Sequence, residues 1–289
     1  MDRNSRKIYR VPLAHGGTLV LGERPLVMGI LNLSPDSFSG GERAGDPDAA
    51  IEAGVRLEAD GADLIDIGGE STRPGSTPVP ADVEIDRIRP VVRGLARRVH
   101  VPLSIDTYKA AVAEVALVEG AAMVNDVSGL RYEPALAEVV ARTGAALVLM
   151  HMRGHPATMY AEAVYADVVA ELIAELRQSL AVAGAAGVPP ERILVDPGIG
   201  FAKRAAHSYG VLARLSDISA ALDRPVLAGP SRKSFLNDAV GARPPRERDW
   251  GTAAAVSAAV LHGAHVVRVH AVAEMVQVVR VAELVRRHA

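Results

Sequence analysis

The sequence predicts an α/β fold, a closed parallel barrel of eight strand and helix pairs, and three observations carry that prediction. Apolar runs rich in β-branched residues recur and each stops on a polar or glycine position: LVMGILN at Asn32, DLIDIGG at Gly69, LSID at Asp106, MVN at Asn125, LVLMH at His151, ILVD at Asp196, PVLAGPSRK at Lys233 and VVRVH at His270. Alanine-rich segments with charges at helical spacing lie between them. No GxGxxG follows the first strand, so the doubly wound open sheet lacks its usual support. The layout is that of a (β/α)8 TIM barrel, which places its chemistry at the C-terminal strand ends.

Taken in order, the residues up to Arg24 contain KIYRVPL and GTLVLG around Ala14, His15, Gly16 and Gly17, the pattern of a β-hairpin placed to plug the barrel's bottom. From Pro25, strands are predicted near 26–31, 63–67, 102–105, 122–126, 145–150, 193–196, 225–228 and 265–269. Helices are predicted near 47–60, 81–98, 108–119, 134–143, 160–186, 206–222, 231–262 with a break at Pro244 and Pro245, and 271–288. The alternation runs without a linker, so residues 1–289 read as one domain in which 1–24 form an extension.

Hydrophobic residues make up 49% and aromatics 3%, so the core is built from Val, Leu, Ile and Ala, as buried parallel strands require. The net charge of -2 is scattered, which argues against a nucleic-acid or membrane surface and for a small-molecule partner. Without cysteine there is no disulfide, thiolate nucleophile or cysteine zinc site. MDRNSRKIYR is too polar for a signal peptide and no apolar run reaches membrane-spanning length, so the expected location is cytoplasmic. Lysine occurs only at Lys7, Lys109, Lys203 and Lys233, which makes a lysine in a site loop more noticeable.

The chain is organised around Asp63 to Gly75, where Leu64, Ile65 and Ile67 form a strand. Past Gly68 and Gly69 comes a polar loop carrying Glu70, Ser71, Thr72 and Arg73, closed by Pro74 and Gly75. Thr72 and Arg73 suit a phosphate or carboxylate, with a solvated loop as the alternative. Asn32 is either a turn residue or an oxygen ligand for a hard cation such as Mg2+ that also holds phosphate oxygens. Asp36, Ser37 and Phe38 belong to a loop suited to cover a site, with Phe38 offering an apolar face.

Asp106, Asn125 and Asp196 should converge at the barrel mouth, and two acids with an amide suit a flat heterocycle bearing several N–H groups. Helix capping explains Asp106 alone almost as well. Asp196 is followed by PGIGF, a rigid turn that brings Phe201 toward the site. His151 and His155 have i, i+4 spacing, but Gly154 and Pro156 argue against a helical metal pair. GPSRKSF places Ser231 at a helix start with Arg232 and Lys233 in its first turn, where cations oppose the dipole and call for an anion or ring carbonyl. Arg268 and His270 alternate to one face and, with Arg73, suit a pyrophosphate.

In this order, LNLSPDSF, DIGGESTRPG, SIDT, NDVSG, LMHMRGHPATM, DPGIGF, GPSRKSF and RVH resemble the successive motifs of the dihydropteroate synthase family, from about Pro25 to His270. The resemblance implies a cytoplasmic, dimeric (β/α)8 barrel that joins 6-hydroxymethyl-7,8-dihydropterin pyrophosphate to 4-aminobenzoate, with sulfonamides competing for the second substrate. It implies that Asp106, Asn125, Asp196 and Lys233 bind the pterin and that Asn32, Thr72, Arg73, Arg268 and His270 handle the pyrophosphate, Asn32 together with Mg2+. Phe38, Pro74, Phe201 and Ser231 would border the aminobenzoate, and Asp106, Lys233 and Arg268 would carry the catalysis.

One departure stands out: the family's first loop commonly continues SFSDGG, whereas here Ser39 is followed by Gly40 and Gly41, with the nearest acid at Glu42. It bears on loop closure and aminobenzoate affinity, not on the pterin or Mg2+ residues. Two other readings share the acid and amide set, a pterin-dependent methyltransferase and a pterin-binding barrel without catalysis.

Overall fold

The computed structural model describes residues 6–33, 46–71 and 75–289. Two short strands open it, β1 (Tyr9–Pro12) and β2 (Thr18–Leu21), paired antiparallel with Tyr9 opposite Leu21. His15, Gly16 and Gly17 reverse the chain at φ of 62°, 94° and 86°, a left-handed run that two glycines make inexpensive.

The barrel strands are β3 (Leu26–Asn32), β4 (Leu64–Gly68), β5 (Leu103–Asp106), β6 (Met123–Asp126), β7 (Ala146–Met150), β8 (Ile193–Asp196), β9 (Leu227–Ala228) and β10 (Val266–Val269). Each lies within an apolar run or at its edge. They pair in parallel in the ring order β8-β7-β6-β5-β4-β3-β10-β9. The ring closes where Val195 bridges Val226 and the Val195 N–H donates to the Pro225 carbonyl at 3.0 Å. The predicted (β/α)8 barrel with its hairpin is therefore the observed architecture.

Ten helices occur among the described residues: α1 (Pro47–Ala59), α2 (Ala81–Leu95), α3 (Ala110–Val118), α4 (Leu136–Thr143), α5 (Val168–Ala185), α6 (Ala205–Leu212), α7 (Leu215–Leu222), α8 (Asn237–Val240), α9 (Asp249–Leu261) and α10 (Val272–Arg287). Asp46 starts α1 by accepting the Asp48 N–H, with Pro47 in the first turn. Three helix expectations need correction. Residues 160–167 are not helical, because the Asp167 side chain caps α5 and Glu171 accepts the N–H groups of Ala166 and Asp167. The 206–222 segment divides at Ala213 and Arg214. Ser231 does not start a long helix: Arg232 takes φ 59°, and two 3-10 turns, Ser234–Leu236 and Pro245–Arg248, and the short α8 precede α9.

Alternation along the strands sorts their side chains. Ile65, Ile67, Ile105, Val124, Leu147, Val195 and Val267 pack outward beneath the helices. Met28, Leu64, Met123, Val148, Leu194, Leu227 and Val266 fill the lower barrel and meet Val11, Leu13, Leu19 and Leu21 of the hairpin. The hairpin is thus a floor plug, and complete burial of Val11 and Leu21 contributes about 1.5–3 kcal/mol each. His265 ties floor to seam: its Nδ1 accepts the Val226 N–H at 3.1 Å, so Nε2 carries the hydrogen and donates to the Lys7 carbonyl at 3.3 Å. Burial pushes this imidazole down to about 4, keeping it neutral.

Candidate active site

Above the apolar floor, polar side chains take many of the next positions. Register places Asp66 beside Ile30 and Ser104, Gly68 beside Asn32 and Asp106, Asp106 beside Asn125, and Met150 beside Asp196. Acids and an amide therefore ring the mouth on neighbouring strands, where a packed barrel would otherwise carry branched aliphatics.

Arg268, reaching up from β10, organises one side. Its Nε donates to Asp66 Oδ2 and its Nη2 to Asp106 Oδ2, both at 2.6 Å, and Asn125 Nδ2 donates to the same Asp66 oxygen at 2.9 Å. The side chains are 0% exposed at Asp66, 8% at Asp106 and 18% at Arg268. Burial raises Asp106 to about 7, with Arg268 opposing and Asp66 and Glu84 adding to the rise. For Arg268 burial works against the charge, but Asp66 and Asp106 outweigh it and leave the guanidinium fixed. Asp66 Oδ1 and Asp106 Oδ1 are buried without a hydrogen-bond partner among the described residues. Such oxygens are costly unless something donates to them, and a ring rich in N–H groups would supply the donors.

Lys233 and Asp196 form the other side. A methyl group at Gly229 would stand 3.8 Å from Lys233 Nζ and 4.0 Å from Asp196 Oδ2, so both groups flank one glycine. Lys233 donates to the Ile199 carbonyl at 2.5 Å, and its ammonium lies 4.3 Å from the centre of the Phe201 ring. Burial lowers it to about 8, while Asp196 works to keep it charged. Asp196 is raised by burial, with Lys233 and the Gly198 N–H at 2.7 Å opposing. Arg232 turns away, its guanidinium held by Asp249 at 2.7 Å and its N–H by Thr252. Lys233 alone of this pair reaches the mouth.

Ser231 is buried, and its hydroxyl sits 2.9 Å from His270 Nδ1 while accepting the His270 N–H at 3.2 Å. That places it beside the Arg268 and His270 strand end. The Asn32 amide oxygen lies near Asp106: a methyl group at Gly68 would be 3.5 Å from Asn32 Oδ1 and 3.7 Å from Asp106 Oδ2. Phe38, Thr72, Arg73 and Pro74, and the altered Gly40 loop, lie outside the described residues.

Two residues passed over in the sequence belong here. Asp66 was hidden inside an apolar strand, although an acid at mid-strand on the face of Leu64 and Gly68 is itself a signal. Lys203 is the other, 1% exposed, donating to His151 Nδ1 at 2.8 Å, the Phe201 carbonyl at 3.1 Å and the His151 carbonyl at 3.4 Å. It pins the PGIGF turn, and hence Phe201, to the end of β7. Burial first and Lys203 second drive His151 down to about 3. His151 also meets Glu175, at 3.1 Å, whereas His155 stacks on Tyr132 at 4.3 Å, so the two histidines serve different neighbours.

A parallel barrel with three acids, an amide, a lysine and an arginine around its mouth defines a class, the barrels that bind a flat nitrogen heterocycle at their C-terminal strand ends. The profile of the family described as "Pterin binding enzyme" matches residues 28–270. Dihydropteroate synthase of Synechocystis is 43% identical over 277 residues, 96% of each chain. The structure of the Xanthomonas albilineans enzyme with 4-aminobenzoic acid superposes with a TM-score of 0.87 at 42% identity, covering 96% of this chain and 98% of that one. The Yersinia pestis enzyme in a sulfonamide drug complex gives a TM-score of 0.89 at 42% identity, covering 95% and 98%. The chain belongs to the dihydropteroate synthase family of pterin-binding enzymes.

Proposed function

We propose that the chain condenses 6-hydroxymethyl-7,8-dihydropterin pyrophosphate with 4-aminobenzoate, releasing pyrophosphate and forming 7,8-dihydropteroate for folate synthesis. The observation that carries the reading is the buried set of Asp66, Asp106, Asn125 and Arg268 facing Asp196 and Lys233 across the mouth.

Asp106, Asn125, Asp196 and Lys233 bind the pterin: the carboxylates and amide oxygen accept its N–H groups and Lys233 donates to its carbonyl. As the C–O bond to pyrophosphate breaks, Asp106 stabilises the positive charge that spreads over the ring. Arg268 and His270, with Thr72 and Arg73, hold the departing anion, and the arylamine then bonds to the freed methylene carbon. The amine loses its proton to the released pyrophosphate or to solvent, so no protein nucleophile takes part. Phe201 and Ser231, with Phe38 and Pro74, border the aminobenzoate, where a sulfonamide would compete.

Mg2+ fits this mouth. Among the described residues no cluster of three or more His, Asp or Glu forms a metal cage of its own, and Mg2+ is commonly held by one or two protein oxygens plus substrate phosphates. Asn32 Oδ1, beside Asp106, is such an oxygen. Bound there, the ion would neutralise charge on the leaving pyrophosphate.

Exposed apolar side chains at Trp250 and Leu261 of α9 and Val281, Leu284 and Val285 of α10 support assembly as a homodimer. No helix among the described residues is long and apolar enough to cross a membrane, and a cysteine-free chain suits the cytoplasm.

Purified protein supplied with both substrates and Mg2+ should form dihydropteroate and pyrophosphate in equal amounts, and withdrawing Mg2+ should stop it. Pterin binding without product under those conditions would favour a non-catalytic barrel.

A further inference from the structure

Lys203 is a fully buried amine beside the mouth, and the reaction above assigns it no part. Its Nζ lies 2.8 Å from His151 Nδ1, 3.1 Å from the Phe201 carbonyl oxygen and 3.4 Å from the His151 carbonyl oxygen. His151 Nε2 faces Glu175 at 3.1 Å, so it carries the imidazole hydrogen and Nδ1 is left to accept from Lys203. All three acceptors of the amine are therefore uncharged. Burying an amine among uncharged acceptors is a poor way to gain stability. What the arrangement supplies is direction, because it ties the end of β7 to the PGIGF turn after β8.

The two halves of that turn are held by different means. In the first half the backbone does the holding. The His151 N–H donates to the Asp196 carbonyl at 2.8 Å, and the Gly198 N–H returns to Asp196 Oδ1 at 2.7 Å. A methyl group at Gly198 would fall 1.9 Å from the His151 carbonyl oxygen, so the two segments meet backbone to backbone. The second half has one such bond, from the Phe201 N–H to the Gly198 carbonyl at 3.0 Å, and otherwise relies on side chains. Ala202, completely buried, takes φ 47°, a left-handed conformation that an alanine keeps only where its surroundings impose it. Lys203 holds the carbonyl before it and the Tyr165 hydroxyl donates to its own carbonyl at 3.0 Å. The Tyr165 ring lies under the Arg153 guanidinium at 4.0 Å, and Arg153 is bound by Glu175, the acid that also meets His151.

The side chain placed by this strained half is Phe201. Its ring is half-buried against Met150, Met152 and Met159, and the Lys233 ammonium lies 4.3 Å from its centre. We propose that Lys203 is a positioning residue for the second substrate: by drawing the Phe201 carbonyl against the end of β7, it holds the turn in its left-handed form and sets the Phe201 ring as a wall for the 4-aminobenzoate. The inference rests on the synthase reading, which assigns Phe201 to the aminobenzoate. Asp196, held by backbone bonds of its own, keeps its place for the pterin without Lys203.

The test compares the wild-type enzyme with Lys203→Met, Phe201→Ala and the double variant. Steady-state kinetics give KM for 4-aminobenzoate at saturating pterin pyrophosphate, and calorimetry gives the affinity for the pterin pyrophosphate alone. Lys203→Met should raise KM for the aminobenzoate roughly tenfold to a hundredfold, the scale of a small misplacement, and leave pterin pyrophosphate affinity within about twofold of wild type. Added to Phe201→Ala, it should raise that KM by no more than about twofold further, because two residues acting through one ring are not additive. Lys203→Gln, one bond shorter, should give a smaller rise with the same selectivity, and it carries the test, alone and with Phe201→Ala, if Lys203→Met does not fold. An unchanged aminobenzoate KM, equal weakening of both substrates, or full additivity with Phe201→Ala would overturn the proposal. A wild-type enzyme without turnover would instead sink the synthase reading.

Discussion

At the scale of single residues, the barrel mouth is a problem in charge placement. Burial pushes Asp106 up to about 7 and Lys233 down to about 8, so each titrates near neutrality from opposite sides. Catalysis as proposed needs Asp106 ionised, a condition lost as pH falls below about 7, and Lys233 protonated, a condition lost as pH rises above about 8. A profile of kcat/KM against pH, which reports the free enzyme, is therefore expected to be a narrow bell between these values. A flat profile from roughly pH 6 to 9 would contradict the assignment. Asp106, Asn125, Asp196, Lys233 and Arg268 were legible in the sequence because each ends an apolar run or alternates within one. Asp66 was not, because its neighbours Ile65 and Ile67 make the segment read as uniformly buried. Lys203 stands out in the sequence only as one of four lysines, and its role does not: its partners, His151 and the Phe201 carbonyl, come from separate parts of the chain or from its own turn, and no spacing rule connects them.

Elements follow their patterns wherever local and tertiary forces agree. The strands and most helices do, because parallel strands buried on both faces demand continuous apolar runs. The prediction fails at residues 160–167 and 231–248, where specific hydrogen bonds override the helical pattern, and it misses the break of the 206–222 segment at Ala213 and Arg214. The Asp167 cap fixes the start of α5, and the bonds from Arg232 to Asp249 and Thr252 hold the chain out of a helix after β9. The hairpin was legible from its glycines, but its tie to the barrel through His265 was not. That tie makes a stability prediction. Unfolded, the imidazole titrates near 6.5; folded, it titrates at about 4, so the unfolded chain binds the extra proton between those values. Stability thus falls as pH drops through that window. His265→Asn keeps an acceptor for the Val226 N–H but has no proton to gain. In urea denaturation the wild type should lose about 3 kcal/mol more than the variant between the two pH values. Parallel losses would show that His265 is not the sensor.

For the whole molecule, the division of labour runs along the barrel axis. Hairpin and lower strands form an apolar plug, the helices enclose the outside, and the polar residues gather where the strands end. A rigid floor lets a small set of acids remain buried at the mouth, because the cost of burying them is met by the packing below. The central claim is that Asp106 stabilises the charge that develops on the pterin as pyrophosphate leaves. Its most direct test is single-turnover and steady-state kcat of Asp106→Asn with both substrates saturating. The variant preserves the size of the side chain and should fold as the wild type does, with kcat reduced roughly 100- to 1,000-fold. Full turnover by Asp106→Asn would contradict the account.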